Sequence, residues 1–281
     1  MTSKAFCPAH VTGFFTVSEH HFQLEKVGSR GAGFSLDMGA YTEVDVGGND
    51  WEITVNGEKS SFLLVEKVLG NFAPGGRVKI NTDVPFSQGL GMSGACALSA
   101  GLAVCAETGG EKEEAIRQAH NAEVFCRTGL GDVIAQSIGG FEVRLKEGLP
   151  PYGKIQKTEI EKEIVIAIMG QPLITTNVLT DAGLSEWIRM IGGECMDKFL
   201  PENGFDRFLD ISYHFAEETK FVKGPVRKAF QVADQYGKGS MCMIGNSVFF
   251  VGDTDKLYEV LSEVTDRVFV ANIDNQGARL I

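Results

Sequence analysis

The chain has 281 residues, 43% hydrophobic and 22% charged, enough for one large domain or two smaller ones with ample core. Its formal net charge of −11 argues against nucleic acid or an anionic membrane as a partner, since both select basic surfaces. Six cysteines without Cys-x-x-Cys spacing read as reduced thiols rather than zinc or disulfide sites. An N-terminus without an apolar signal core, and no apolar run near 18 residues, predict a cytoplasmic protein.

Residues 4–7 and 13–17 are apolar, with β-branched and aromatic members, and predict two short strands around Pro8-Ala9-His10. His10 either satisfies a loop carbonyl or meets a ligand. His20 and His21 are adjacent, so on a strand they point opposite ways and do not by themselves make a metal site. Gly28-Ser29-Arg30-Gly31-Ala32-Gly33 frames one arginine with small residues. Either this is a surface turn or the guanidinium fork of Arg30 is exposed to take a carboxylate. The alternating segments 40–46 and 51–55, joined by Gly47-Gly48-Asn49-Asp50, predict a hairpin. Ser60–Leu69 predicts an amphipathic helix, and Val78–Val84 a strand.

The stretch from Pro85 to Ala95, Pro-Phe-Ser-Gln-Gly-Leu-Gly-Met-Ser-Gly-Ala, is too rich in glycine and serine to be a packed element. It lies between the strand and an Ala/Leu/Val-rich helix expected over 95–106. Strand, glycine loop and helix can converge backbone N–H groups on a phosphate; a tight turn is the other reading. A helix over Lys112–Phe125 places His120 and Glu123 on one face. Asp132 then follows Gly129-Leu130-Gly131, where it either caps a helix or acts on a hydroxyl proton.

The periodicity breaks at Leu149-Pro150-Pro151-Tyr152-Gly153, which sets an expected division into residues 1–153 and 154–281. The second part predicts a buried strand at 164–168 and helices at about 179–192, 205–221 and 225–236. Strands at 240–244 and 247–251, a helix at 255–264 and a strand at 267–272 complete it.

Taken together, Pro85-x-x-x-Gly89-Leu90-Gly91-x-Ser93-x-Ala95 resembles the central motif of the GHMP kinases. Pro8-Ala9-His10-Val11-Thr12-Gly13-Phe14-Phe15, the cluster 28–33, and Gly129-Leu130-Gly131-Asp132-Val133-Ile134-Ala135-Gln136 with Gly139-Gly140 are similar to that family's archaeal pantoate kinase branch. The resemblance spans nearly the whole chain. It implies an α+β, two-domain fold, with an N-terminal α/β domain carrying the phosphate loop and a ferredoxin-like C-terminal domain. It also implies ATP and Mg2+ as cofactors. Pro85, Gly89, Leu90, Gly91, Met92, Ser93, Gly94 and Ala95 would bind nucleotide, and Ser93 with Glu123 would bind magnesium. Asp132 would be catalytic, and His10 and Arg30 would hold the acceptor.

The implied reaction is phosphorylation of (R)-pantoate to 4-phosphopantoate, a step toward coenzyme A. A mevalonate or phosphomevalonate kinase, a decarboxylase of the same fold and a non-catalytic nucleotide-binding relative are the alternatives. The implied partners are small molecules, ATP and a hydroxy-carboxylate; the oligomeric state is left open, a homodimer included. Two departures stand out. Ala9 replaces a glycine usual in the first motif, and Ser240-Met241-Cys242-Met243 replaces most of the glycines of the third, within 237–246. For those last residues, a strand and hairpin is the competing reading.

Overall fold

The computed structural model describes residues 2–17, 22–172 and 182–281; His20 and His21 lie outside them. Its spine is a long antiparallel pair, β1 (Ser3–Val17) and β2 (Ser29–Val46). The two short strands expected around Pro8 are thus one strand. The interruption survives only as register shifts between Pro8 and His10 and between Thr12 and Phe14, local irregularities of the kind that re-aim side chains without ending a strand. The glycine cluster at 28–33 is likewise strand rather than turn. A Cβ at Gly33 would stand 2.7 Å from Nε2 of His10, so glycine here serves the close approach of β2 to a buried ring.

The expected hairpin between 40–46 and 51–55 does not form. β5 (Gly76–Thr82) lies between β2 and β3 (Trp51–Val55), antiparallel to the first and parallel to the second. β3 pairs instead with the short β4 (Glu58–Lys59), and α1 (Leu63–Leu69) is part of the crossover that a parallel pair requires. Alternation reported the strands correctly but could not name their partners.

β6 (Phe141–Lys146) pairs with β2, β7 (Lys154–Thr158) pairs with β6, and β12 (Arg279–Leu280) returns to β1. The first sheet thus has eight strands, with the path β12-β1-β2-β5-β3-β4 and β6-β7 branching from β2. Against it pack α2 (Met92–Thr108), α3 (Lys112–Cys126) and α4 (Asp132–Ile138). Nearly all of α2 is buried, and its Ala and Gly content lets neighbouring backbones come close.

The second sheet contains β8 (Glu163–Ile168), β9 (Gly237–Met241), β10 (Ser247–Gly252) and β11 (Val268–Asn272). Its order is β11-β8-β10-β9, antiparallel throughout, which is the ferredoxin-like arrangement. It is accompanied by α5 (Ala182–Phe199), α6 (Phe205–Glu218), α7 (Gly224–Ala233) and α8 (Thr254–Ser262). The chain passes between the sheets after β7, one strand beyond the expected division at 153/154. No helix among the described residues is long and apolar enough to cross a membrane.

One aromatic cluster joins the two sheets. Phe208 of α6 stacks against Phe205 and Phe249, meets Phe141 and Phe34 edge-on, and lies 6.1 Å from Phe14. Its partners come from β1, β2 and β6 of one sheet and β10 of the other. Phe208→Ala should therefore lower stability by about 3–5 kcal/mol, read as a shift in the urea midpoint. A change below about 1 kcal/mol would mean that the sheets are held together elsewhere.

Candidate active site

Between β5 and α2 the backbone takes positive φ at Ser87 (60°), Gly89 (78°) and Gly91 (61°). The helix starts at Met92, three residues before the sequence-based expectation. Ser93 and Gly94 are therefore in its first turn, where N–H groups have no partner within the helix and the dipole is positive. Two hydrogen bonds hold the loop. His10 donates its backbone N–H to the Leu90 carbonyl at 3.0 Å, and Gln136 Nε2 donates to the Gly91 carbonyl at 2.9 Å.

The third motif folds onto the same loop. Gly237–Met241 is the edge strand β9, and the segment after it packs so tightly that a Cβ at Gly89 would lie 2.1 Å from the Cys242 carbonyl. Met243 donates its N–H to the Thr12 carbonyl at 3.0 Å. The result is an open cleft walled by the glycine loop, the second glycine turn at 128–131, Ser29, Arg144, Met243 and Ile244.

Asp132 lines this cleft as the first residue of α4, yet it caps nothing, since the cap position is Gly131. Its Oδ1 accepts from Nδ1 of His10 at 2.9 Å. His10 is wholly buried, and its Nε2 lies 3.2 Å from Oε1 of Glu142, at ion-pair distance but off the hydrogen-bond axis. Burial alone would push the imidazole pKa down. The charge of Glu142 and the bond to Asp132 outweigh burial and raise it from 6.5 to about 9. The folded chain thus keeps a proton that the unfolded chain releases above about pH 6.5. That contribution to stability is lost as pH rises through about 9.

Glu123 is also buried, at the far end of α3. Burial first, and the charge of Asp132 second, push its carboxyl well above the usual range. A Cβ on Gly129 would stand 2.6 Å from Glu123 Oε1 and 3.0 Å from Asp132 Oδ2, so both acids crowd one glycine. Glu123 Oε2 has no hydrogen-bond partner. Its other oxygen would stand 3.1 Å from a Cβ at Gly94, the residue after the cleft-lining Ser93, and a carboxylate and a hydroxyl are oxygen donors that suit a hard divalent cation.

Two expected acceptor residues are placed elsewhere. His10 is buried beneath Asp132 and does not line the cleft; the irregular stretch of β1 turns its ring into the protein. Arg30 follows Ser29 on β2, so it belongs to the opposite face, and only Ser29 lines the cleft.

The cation at the cleft is Arg144 of β6, which the sequence analysis did not single out. It is 2% exposed, pairs through Nη1 with Glu142 and donates from Nη2 to Thr12 Oγ1 at 3.3 Å, while Nε has no partner. A Cβ on Gly131 would lie 2.6 Å from Ser29 Oγ and 2.9 Å from Arg144 Nε. The hydroxyl and the free N–H thus flank one small space. Spacing alone does not mark it: Phe141-Glu142-Val143-Arg144-Leu145-Lys146 alternates apolar and charged residues, the pattern of a strand with one solvated face.

A glycine loop at a helix N-terminus, a cleft lined by Asp132 and Arg144, and the buried acid Glu123 behind it are the kinds of group that a small-molecule phosphotransferase uses. Residues 59–140, which span both glycine turns and both acids, match the family model for the GHMP kinases N terminal domain. The pantoate kinase of Methanocaldococcus jannaschii is 31% identical, over 95% of this chain and 99% of that one. The pantoate kinase of Thermococcus kodakarensis is 31% identical, over 97% and 96%. A solved structure described as a phosphotransferase related to the CoA biosynthesis pathway matches with a TM-score of 0.86 at 27% identity, covering 100% and 99% of the two chains. The chain belongs to the GHMP kinases and, within them, to the pantoate kinase family. It is accordingly an ATP-dependent phosphotransferase with an alcohol group as acceptor.

Gly91→Val tests the loop. A β-branched residue at φ 61° is strained, and its Cβ would stand 3.0 Å from Gln136 Nε2 and 3.2 Å from His10 Cβ. ATP affinity measured by calorimetry should fall about tenfold or more, equivalent to about 1.4 kcal/mol. Unchanged affinity in a folded variant would remove this loop from the nucleotide site.

Proposed function

We propose that this chain transfers the terminal phosphoryl group of ATP to the hydroxyl of (R)-pantoate, forming 4-phosphopantoate. One observation carries the reading. The same cleft presents a carboxylate, Asp132, for a hydroxyl and a buried guanidinium, Arg144, for a carboxylate. A hydroxy-acid offers both groups, and the pantoate kinases this chain resembles along its length act on one.

In this scheme the N–H groups of residues 89–94 and the start of α2 receive the phosphates. Ser93 and Glu123 would hold Mg2+, which when bound supplies positive charge to the phosphates. The raised pKa of Glu123 means that cation binding also favours loss of its proton. His10 holds Oδ1 of Asp132, leaving Oδ2 to take the proton of the acceptor hydroxyl as it attacks. Arg144, with Ser29 beside it, receives the acceptor's carboxylate through Nε. The positive charge is therefore local to the site, while the chain as a whole is acidic.

An ADP-release assay with (R)-pantoate, mevalonate, phosphomevalonate and homoserine tests the acceptor directly. Pantoate should give the highest kcat/KM; preference for another acceptor would overturn the assignment. Asp132→Asn should lower turnover about 10²-fold or more. Because the substitution also removes the charge that faces buried His10, stability should fall as well, and turnover is therefore compared on the folded fraction. Near-normal turnover would exclude Asp132 as the base.

Arg144→Lys keeps a charge but loses the planar fork. The KM for pantoate should rise about tenfold or more, while that for ATP changes less than about twofold. If Arg30→Ala produced this effect and Arg144→Lys did not, the carboxylate would have to sit on the other face of β2.

A further inference from the structure

One buried acid beside the cleft has no part in the scheme above. Glu142 is 1% exposed on β6, between the buried side chains of Phe141 and Val143. It shares a face with Arg144 and packs opposite Gly33 of β2, while Arg144 packs opposite Gly31. Both glycines leave necessary room: a Cβ at Gly33 would meet His10 Nε2 at 2.7 Å, and one at Gly31 would meet Arg144 Nη2 at 3.1 Å.

A carboxylate in such surroundings is costly to bury, and one guanidinium would suffice to neutralise it. Glu142 has two cationic neighbours on a single oxygen. Oε1 accepts from Arg144 Nη1 and stands 3.2 Å from His10 Nε2. Each neighbour is committed at its other end, His10 to Asp132 Oδ1 at 2.9 Å and Arg144 to the cleft, where its Nε is unpartnered. The groups run in one line: Asp132, His10, Glu142, Arg144.

We infer that Glu142 is a positioning residue for phosphoryl transfer. It sets the separation of His10 and Arg144, so that Asp132 and the guanidinium engage the hydroxyl and the carboxylate of the same acceptor. The inference rests on the function proposed above. It makes Glu142 a determinant of which spacing between hydroxyl and carboxylate the cleft accepts, although it touches neither group.

The test uses the full chain with MgATP and (R)-pantoate. Glu142→Gln keeps the shape and removes the charge. It should raise the KM for pantoate tenfold or more and lower kcat by a similar factor, with the KM for ATP changed less than about twofold. Combined with Arg144→Lys, its effect on kcat/KM should fall well short of the product of the single effects, because both act on one unit.

A second readout needs no turnover. The charged groups around His10 are Asp132 on α4 and Glu142 with Arg144 on β6, with Glu123 of α3 further off. Removing Glu142's charge leaves burial less opposed, so the His10 ring should titrate, by NMR, nearer neutrality than the wild-type value of about 9. If Glu142→Gln does not fold, Glu142→Asp keeps the charge but retracts it by one methylene, and the same split between the two KM values is expected.

A purely structural role would lower the melting temperature and leave both KM values unchanged in the folded fraction. That result, or an unmoved His10 midpoint, would overturn the inference. A wild-type chain that does not phosphorylate pantoate would instead overturn the proposed function, and the His10 midpoint would then decide the place of Glu142 alone.

Discussion

The bond between His10 and Asp132 is the constraint on which the site depends. It ties β1 of the first sheet to the first residue of α4, and it is buried on the histidine side. In such surroundings a charged pair is only weakly screened, and leaving either partner alone would be costly. The geometry around it follows from this requirement. The irregular pairing of β1 beside Pro8 turns the ring inward, Gly33 gives it space, and Gly91 lets the glycine loop pass within contact of both partners. Asp132 is thereby held at the cleft by a charge rather than by a helix cap.

The rest of the site is arranged at the two ends of this pair. Toward α3, Glu123 and Asp132 crowd Gly129, a repulsion between like charges that a bound divalent cation would relieve. Toward β6, Glu142 and Arg144 extend the line of alternating charges to the Ser29 side of the cleft. An acidic protein can take anionic substrates because the guanidinium that lines its cleft, Arg144, is buried and held in place. The third motif closes the arrangement by packing Cys242–Gly245 against Gln88 and Gly89, so that the second sheet helps to hold the glycine loop in place.

Much of this was legible in the sequence where the signal was local. The glycine loop between β5 and α2 and the order of strands and helices from β8 to β11 follow from spacing and periodicity, except that the strand expected at 240–244 is Gly237–Met241 and the start of the helix expected at 179 lies outside the described residues. Failures came where the answer lay in pairing across the chain. Alternation in 40–46 and 51–55 could not disclose that β5 separates them, and Pro8 with Gly28–Gly33 suggested breaks where two long strands run through. Arg30 attracted notice because its neighbours are small, yet strand alternation turns it away. Arg144 alternates with apolar residues beside Glu142 and Lys146, as on a solvated strand face, and only the packing of β6 against β2 buries it.

The most direct measurement is a crystal structure of the full chain with a non-hydrolysable ATP analogue, Mg2+ and (R)-pantoate. The account predicts the acceptor hydroxyl within hydrogen-bond reach of Asp132 and the carboxylate on Arg144 beside Ser29, with His10 touching Asp132 and not the substrate. A carboxylate bound at Arg30, or a hydroxyl remote from Asp132, would contradict it.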